Sequence, residues 1–132
     1  MNEQERDFLH GHVWAVLATS RKDGTPQQSM IGYAVDDEGR LVISTKSFTA
    51  KWINALRQPK VSLTITDGRV HLVLDGTVEA ITADPERAEL TADAFVAMFG
   101  GDRPDPTSLI PALDEQRRTV LRLTPESVRF HE

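Results

Sequence analysis

Apolar and polar residues alternate with a period of two over several short stretches of this chain, each bounded by turn chemistry. Val13 to Thr19 is an apolar run of strand length, and Lys22-Asp23-Gly24-Thr25-Pro26 follows with the Asp-Gly pair of a hairpin turn. Gln27 to Val35 reads as the returning strand, Asp36-Asp37-Glu38-Gly39 as a second turn, and Arg40 to Thr45 as a third strand. From Lys60 to Thr66, Val61, Leu63 and Ile65 alternate with Ser62, Thr64 and Thr66, so one face is buried and one is polar. Asp67-Gly68 turns the chain into a long strand from Val70 to Thr82, and Gly76 marks a bulge or barrel corner within it. A last strand, Thr119 to Leu123 and Ser127 to Phe130, is broken at Pro125, which suits an edge or a bulge.

Helical signals punctuate this pattern. Residues 3–11 predict a short helix with Phe8 and Leu9 inward and Gly11 as terminator, and a second helix at about 50–58 stops at Pro59. Asp84-Pro85-Glu86 opens the clearest helix, with Asp84 as N-cap and Pro85 at its first position. It runs to about Phe99, with Leu90, Ala94, Phe95 and Met98 on its apolar side and Gly100-Gly101 at its end. Residues 102–106 read as rigid loop, and Ser108 to Arg117 as a helical turn or two. Six or seven strands with two or three helices predict a mainly β, α+β chain. The favoured architecture is a closed or split antiparallel barrel with peripheral helices, as one domain over residues 1–132.

Composition narrows the function classes. The chain carries 15 Lys and Arg against 20 Asp and Glu, a net charge of −5, which disfavours a nucleic-acid surface and points to a small-molecule partner. It has no cysteine, so thiolate chemistry is excluded and redox chemistry needs a borrowed cofactor. The N-terminal residues show neither a basic region nor an apolar run of signal type, and no stretch has the length of a membrane span, which predicts a cytoplasmic protein. His10, His12, His71 and His131 show no metal-ligand spacing, and no metal site is predicted. Asp36, Asp37 and Glu38 are read as solvated turn residues, Tyr33 as structural, and Trp14 and Trp52 as core or interface aromatics. No Gly-x-Ser-x-Gly signature supports a hydrolase.

Chemistry concentrates in Ser44 to Leu56, where a strand passes through hydroxyl residues and two lysines into a helix. A helix starting near Thr49 places Lys51 in its first turn, where the dipole disfavours a cation, and a bound anion removes the conflict. Unpaired N–H groups at the helix start, the neighbouring hydroxyls, Lys46 and Lys51 together make a phosphate cradle; the plainer reading is a solvated lysine pair. Lys51, Asn54 and Gln58 share one helix face, and Trp52, Ile53 and Leu56 face the barrel in this reading.

Val16-Leu17-Ala18-Thr19, Asp23-Gly24-Thr25-Pro26-Gln27, Ile43-Ser44-Thr45, Ala50-Lys51 with Asn54, and Gln58-Pro59-Lys60-Val61-Ser62-Leu63 appear in that order. The arrangement resembles the pyridoxamine 5'-phosphate oxidase-like split-barrel superfamily, and within it the small actinobacterial flavin and deazaflavin oxidoreductases. The resemblance implies a homodimer whose two cofactor sites are built from both subunits. It implies that Thr45, Lys46, Thr49, Ala50 and Lys51 hold the phosphate end of an isoalloxazine-type cofactor, with Gln28, Ser29, Met30 and Ile31 along its ring system. The Ala-Lys-x-x-Asn pattern favours coenzyme F-420, with FMN the alternative. The implied activity is hydride transfer from the reduced deazaflavin to a small organic acceptor. An FMN-dependent oxidase or reductase and a non-catalytic cofactor- or tetrapyrrole-binding module are the rival readings. The chain ends without the arginine and histidine extension of a true pyridoxamine-phosphate oxidase, for which Arg129 and His131 are a poor substitute.

Overall fold

The computed structural model describes residues 1–132. Helix α1 (Glu3–His10) leads into strands β1 (Trp14–Ser20), β2 (Pro26–Gly32), β3 (Ala34–Val35) and β4 (Leu41–Lys46). Helix α2 (Ala50–Arg57) precedes β5 (Lys60–Asp67) and β6 (Val70–Ile81), and helices α3 (Glu86–Phe99) and α4 (Pro106–Glu115) precede β7 (Arg118–His131). The seven strands form one antiparallel sheet in the order β2-β1-β5-β6-β7-β4-β3. β2 and β3 stand at opposite ends of that order, yet only Tyr33 separates them in the chain. The sheet must therefore curl until its two edges approach, which is the geometry of a split barrel.

Strand alternation fills the interior as the sequence predicts. Ala15 and Leu17 of β1, Val61, Leu63 and Ile65 of β5, and Leu72, Leu74 and Val78 of β6 join Leu41, Ile43, Leu121 and Leu123 in one core, plugged by Trp52 and Ala55 of α2 and Leu9 of α1. A smaller cluster on the outside of the barrel sets Val42, Ile81 and Val120 against Ala94 of α3. β4 and the first part of β7, to Leu123, are thus buried on both faces. The outer face of β1 and β2 is open, with Trp14 and Met30 exposed.

Several sequence expectations change. There are four helices, because Asp105 accepts from the Thr107 N–H as N-cap and Pro106 sits in the first turn, starting a ten-residue helix that tolerates Pro111 within it. α3 begins at Glu86, with Pro85 in the cap position; Asp84 lies one residue earlier and accepts from the Ala88 N–H at 3.1 Å. Phe95 is exposed, and α3 instead buries Arg87, Ala88, Ala92 and Ala94. The predicted strand from Gln27 to Val35 breaks at Tyr33, whose side chain is buried in the core and donates its hydroxyl to Leu9 O at 2.6 Å. Burial pushes the Tyr33 phenol well above its ordinary ionisation range. β7 is continuous and interior; Pro125 falls opposite Gly76, where the register slips between Asp75 and Gly76. A side chain at Gly76 would collide with the Thr124 carbonyl oxygen, so this close approach requires glycine. His71 and His131 are not scattered: they pair across β6 and β7 with rings stacked at 4.7 Å.

Candidate functional site

β4 delivers the chain to Thr45 and Lys46, and the next three residues turn it into α2. Ser47 N–H donates to Arg117 O at 2.8 Å, and Thr49 N–H donates to Lys46 O at 3.1 Å. The Thr49 hydroxyl also donates to Lys46 O at 2.8 Å and lies 3.3 Å from the Thr45 hydroxyl. Thr49 occupies the N-cap position of α2 but gives its helix no side-chain cap, and the first helical bond runs from Ile53 N–H to Thr49 O. The N–H groups of the first turn are left for an external acceptor.

Four cations surround this turn. Lys46 of β4 lies directly opposite Arg118 of β7 in the sheet register. The Lys46 ammonium and the Arg117 guanidinium stand 5.9 Å and 5.8 Å from the centre of the Phe48 ring. Arg117 takes a left-handed backbone (φ 56°), and its carbonyl anchors Ser47. Lys51 is partly buried; loss of hydration, and then repulsion from Arg118, push its ammonium below the ordinary lysine range. None of Lys46, Lys51, Arg117 or Arg118 is in an ion pair. Clustered cations without carboxylates beside unused helix N–H groups form a donor set that fits a phosphate, because an anion there relieves the repulsion and satisfies the N–H groups.

Sequence reasoning found Thr45, Lys46, Thr49, Ala50 and Lys51 but missed Arg117 and Arg118. Their basic pair at the start of β7 is visible in the chain, yet only the β4–β7 register brings it beside Lys46. Arg118 is further secured by Arg87, which donates to its carbonyl at 3.0 Å and pairs with Asp84 and Asp114 at 2.8 and 2.7 Å.

The β2 residues divide between two faces, as a strand requires. Gln28 and Met30 are exposed on the outer side, Ser29 is half-buried, and Ile31 lies in the core with Trp52. Met30 offers an apolar surface to a ring, whereas Ile31 offers only its backbone. α2 packs on β1 and β2, so the helix links the phosphate cradle to this strand. Its own faces differ from the expected ones. Asn54 is buried, at 7% exposure, and Ile53 and Leu56 are exposed, so the polar face expected of Lys51, Asn54 and Gln58 does not form.

A groove of about 540 Å³ lies elsewhere, beneath α1, lined by Glu5, Arg6, His10, Glu38 and Arg40 among others. Arg40 is held there by Asp36 at 2.8 Å, and the charged lining does not suit an aromatic ring system. No helix is long and apolar enough to cross a membrane.

Comparison with known proteins agrees with the architecture. A conserved hypothetical protein from Mycobacterium tuberculosis superposes with a TM-score of 0.81 at 25% identity, over 100% of this chain and 85% of the other. An F-420 reductase aligns with a TM-score of 0.74 at 25% identity, over 98% of both chains. A heme storage protein from Vibrio cholerae shares the fold at 20% identity, with a TM-score of 0.75 over 96% of this chain and 91% of its own. The sequence profile of the pyridoxamine 5'-phosphate oxidase family matches residues 1–132, and the chain belongs to that family.

Proposed function

We propose that this protein is an oxidoreductase that binds a reduced deazaflavin of the F-420 type and serves hydride transfer to a small organic acceptor. The observation that carries the reading is the cradle of four unpaired cations around the first turn of α2. The N–H groups of Ala50 and Lys51 would hold the phosphate, joined by the Thr49 hydroxyl once it turns from Lys46 O, with Thr45, 1% exposed, backing Thr49; Lys46, Lys51, Arg117 and Arg118 would neutralise it. Such a cofactor, when bound, supplies two-electron hydride chemistry that protein side chains lack. The chain's own residues would bind and orient: with the ring along the edge of β2, Met30 and Gln28 would meet it from one face of the strand and Ser29 from the other, and the barrel wall would exclude water.

FMN is the second reading, since its single phosphate also fits the cradle. Four cations exceed the need of one phosphate and suit the longer, more acidic side chain of F-420, in keeping with the F-420 reductase among the structural relatives. The reading includes a homodimer. Trp14 and Met30 are exposed on the bare outer face, and Trp14 and Met98 of α3 meet over Gly32; exposed apolar surface of this kind marks an interface. Titration of the purified protein with F-420 and with FMN tests the assignment, and micromolar affinity for neither refutes it. Light scattering tests the dimer, and a monomer at micromolar concentration removes it.

A further inference from the structure

Five polar side chains from three separate segments form one line of hydrogen bonds between α2 and β2. Arg57 Nη2 donates to Asn54 Oδ1 at 3.0 Å, and Asn54 Nδ2 donates to Thr19 Oγ1 at 3.2 Å. Thr19 Oγ1 donates to Gln27 Oε1 at 3.0 Å, and Gln27 Nε2 donates to Ser29 Oγ at 2.8 Å. Thr19 and Asn54 are 2% and 7% exposed, so the middle of the line is dry.

Its direction is set by chemistry. A guanidinium only donates, so Asn54 turns its oxygen to Arg57 and its nitrogen to Thr19. Gln27 Nε2 also donates to the Gln28 carbonyl at 3.0 Å, which fixes that amide with its oxygen toward Thr19. Each link donates toward β2, where the line ends on Ser29 Oγ, whose own hydroxyl hydrogen has no acceptor in the protein; at the other end Arg57 Nη2 also donates to Ser20 O at 2.6 Å. Arg57 heads the line, and it forms no ion pair with a carboxylate. Arg57 is exposed, so water screens its charge; the buried links beyond it, all donating in one sense, polarise one another and strengthen the terminal donor.

We propose that this relay makes Ser29 a tuned hydrogen-bond donor that favours the reduced, more electron-rich form of the cofactor ring over the oxidised form. Arg57, Asn54, Thr19 and Gln27 are its positioning residues. The inference rests on the cofactor reading above and adds to it a control of redox preference through a line that starts at the C-terminal end of α2. It also gives a task to Thr19, Gln27 and Asn54, which lie in three different sequence motifs and which the phosphate cradle does not use. A line that merely fastens α2 to the barrel would affect stability, and both redox forms alike.

The test compares wild type with Thr19→Val, which cuts the line at constant shape, Thr19→Ser, which restores it, and Arg57→Gln, which removes the charge together with the guanidinium bonds to Asn54 and Ser20. Dissociation constants for oxidised and reduced F-420 and FMN are measured anaerobically, together with thermal melting. Thr19→Val is expected to lower the reduced-over-oxidised affinity ratio about tenfold, equivalent to a potential about 30 mV more negative for a two-electron couple. Arg57→Gln is expected to lower the ratio about threefold, and Thr19→Ser to return it to the wild-type value. An unchanged ratio in Thr19→Val, with or without lost stability, overturns the inference and leaves the cofactor reading intact. Wild-type protein that binds neither cofactor overturns both.

Discussion

Replacing Lys51 by alanine separates a binding residue from a structural one, because the two roles predict opposite signs. In the ligand-free protein Lys51 has lost hydration and faces Arg118, so its charge disfavours the fold. At neutral pH that penalty is fully present; it is relieved as pH rises through the lowered value toward the ordinary 10.5. Lys51→Ala is therefore expected to leave the melting temperature of the free protein unchanged or slightly raised. With ligand bound, the lysine makes a charge-assisted bond worth about 1.5–3 kcal/mol. A partly solvated cradle takes the lower half of that range, which corresponds to about 10- to 40-fold in affinity at ~1.4 kcal/mol per factor of ten. Wild-type affinity is also expected to fall as pH rises through the lowered Lys51 value, a dependence the variant lacks. The assay is a fluorescence titration with F-420 or FMN from pH 7 to 10, paired with thermal melts. Lys60→Ala is the control, since that exposed lysine pairs with Glu126 at 3.0 Å away from the cradle. A loss of more than about 4 °C in the free Lys51→Ala protein, roughly 1 kcal/mol for a domain of this size, would show a structural role. An affinity change below threefold would place the phosphate elsewhere.

Gly76→Ala and Gly32→Ala meet different obstacles. The first drives a methyl into the Thr124 backbone and is expected to cost more than about 2 kcal/mol in urea unfolding; the second meets the end of the Met98 side chain, which swings aside for about 1 kcal/mol or less. Tyr33→Phe leaves Leu9 O without its partner and should cost about 1–2 kcal/mol. Because folded Tyr33 resists ionisation, wild-type stability declines above about pH 10 as the unfolded chain ionises, and alkaline melts of the variant should lack this contribution. Arg87→Met should destabilise by about 1–3 kcal/mol, less than for a fully buried pair because Asp84 and Asp114 keep access to water. The Arg87 hydrogen bond holds the Asp84 carboxyl below its ordinary 3.8, so the part of this difference that comes from Asp84 is complete above that value and fades as pH falls through the lowered one. Acid melts of both proteins measure it.

The strands were legible because a barrel wall imposes a period of two over many residues. Val61, Leu63 and Ile65 had one face to bury, and the core used it. The helices were harder. α4 hides behind Pro106 and Pro111, residues that mark loops in most contexts, and its start depends on the Asp105 cap. α2 misled more consequentially: with only eight residues, it turned Ile53 and Leu56 to the surface and buried Asn54, because a buried amide is tolerated once Thr19 and Arg57 satisfy it. Phe95 and Phe99 likewise lie exposed, their rings 5.1 Å apart, while α3 packs through its alanines.

Local sequence determined which segments became strands, where the turns fell, and that a hydroxyl- and lysine-rich turn opens α2. Those features depend on neighbours a few residues apart, through side-chain period, turn conformation and helix capping. Tertiary structure alone decided the rest of the site. Arg117 and Arg118 reach Lys46 only through the β4–β7 register, about 70 residues away along the chain. The line from Arg57 to Ser29 exists only because the sheet's curl and the seating of α2 bring three segments within hydrogen-bond distance. Charge and hydrogen-bond partners act through space, and no period along the chain encodes which distant residues a closed sheet brings together.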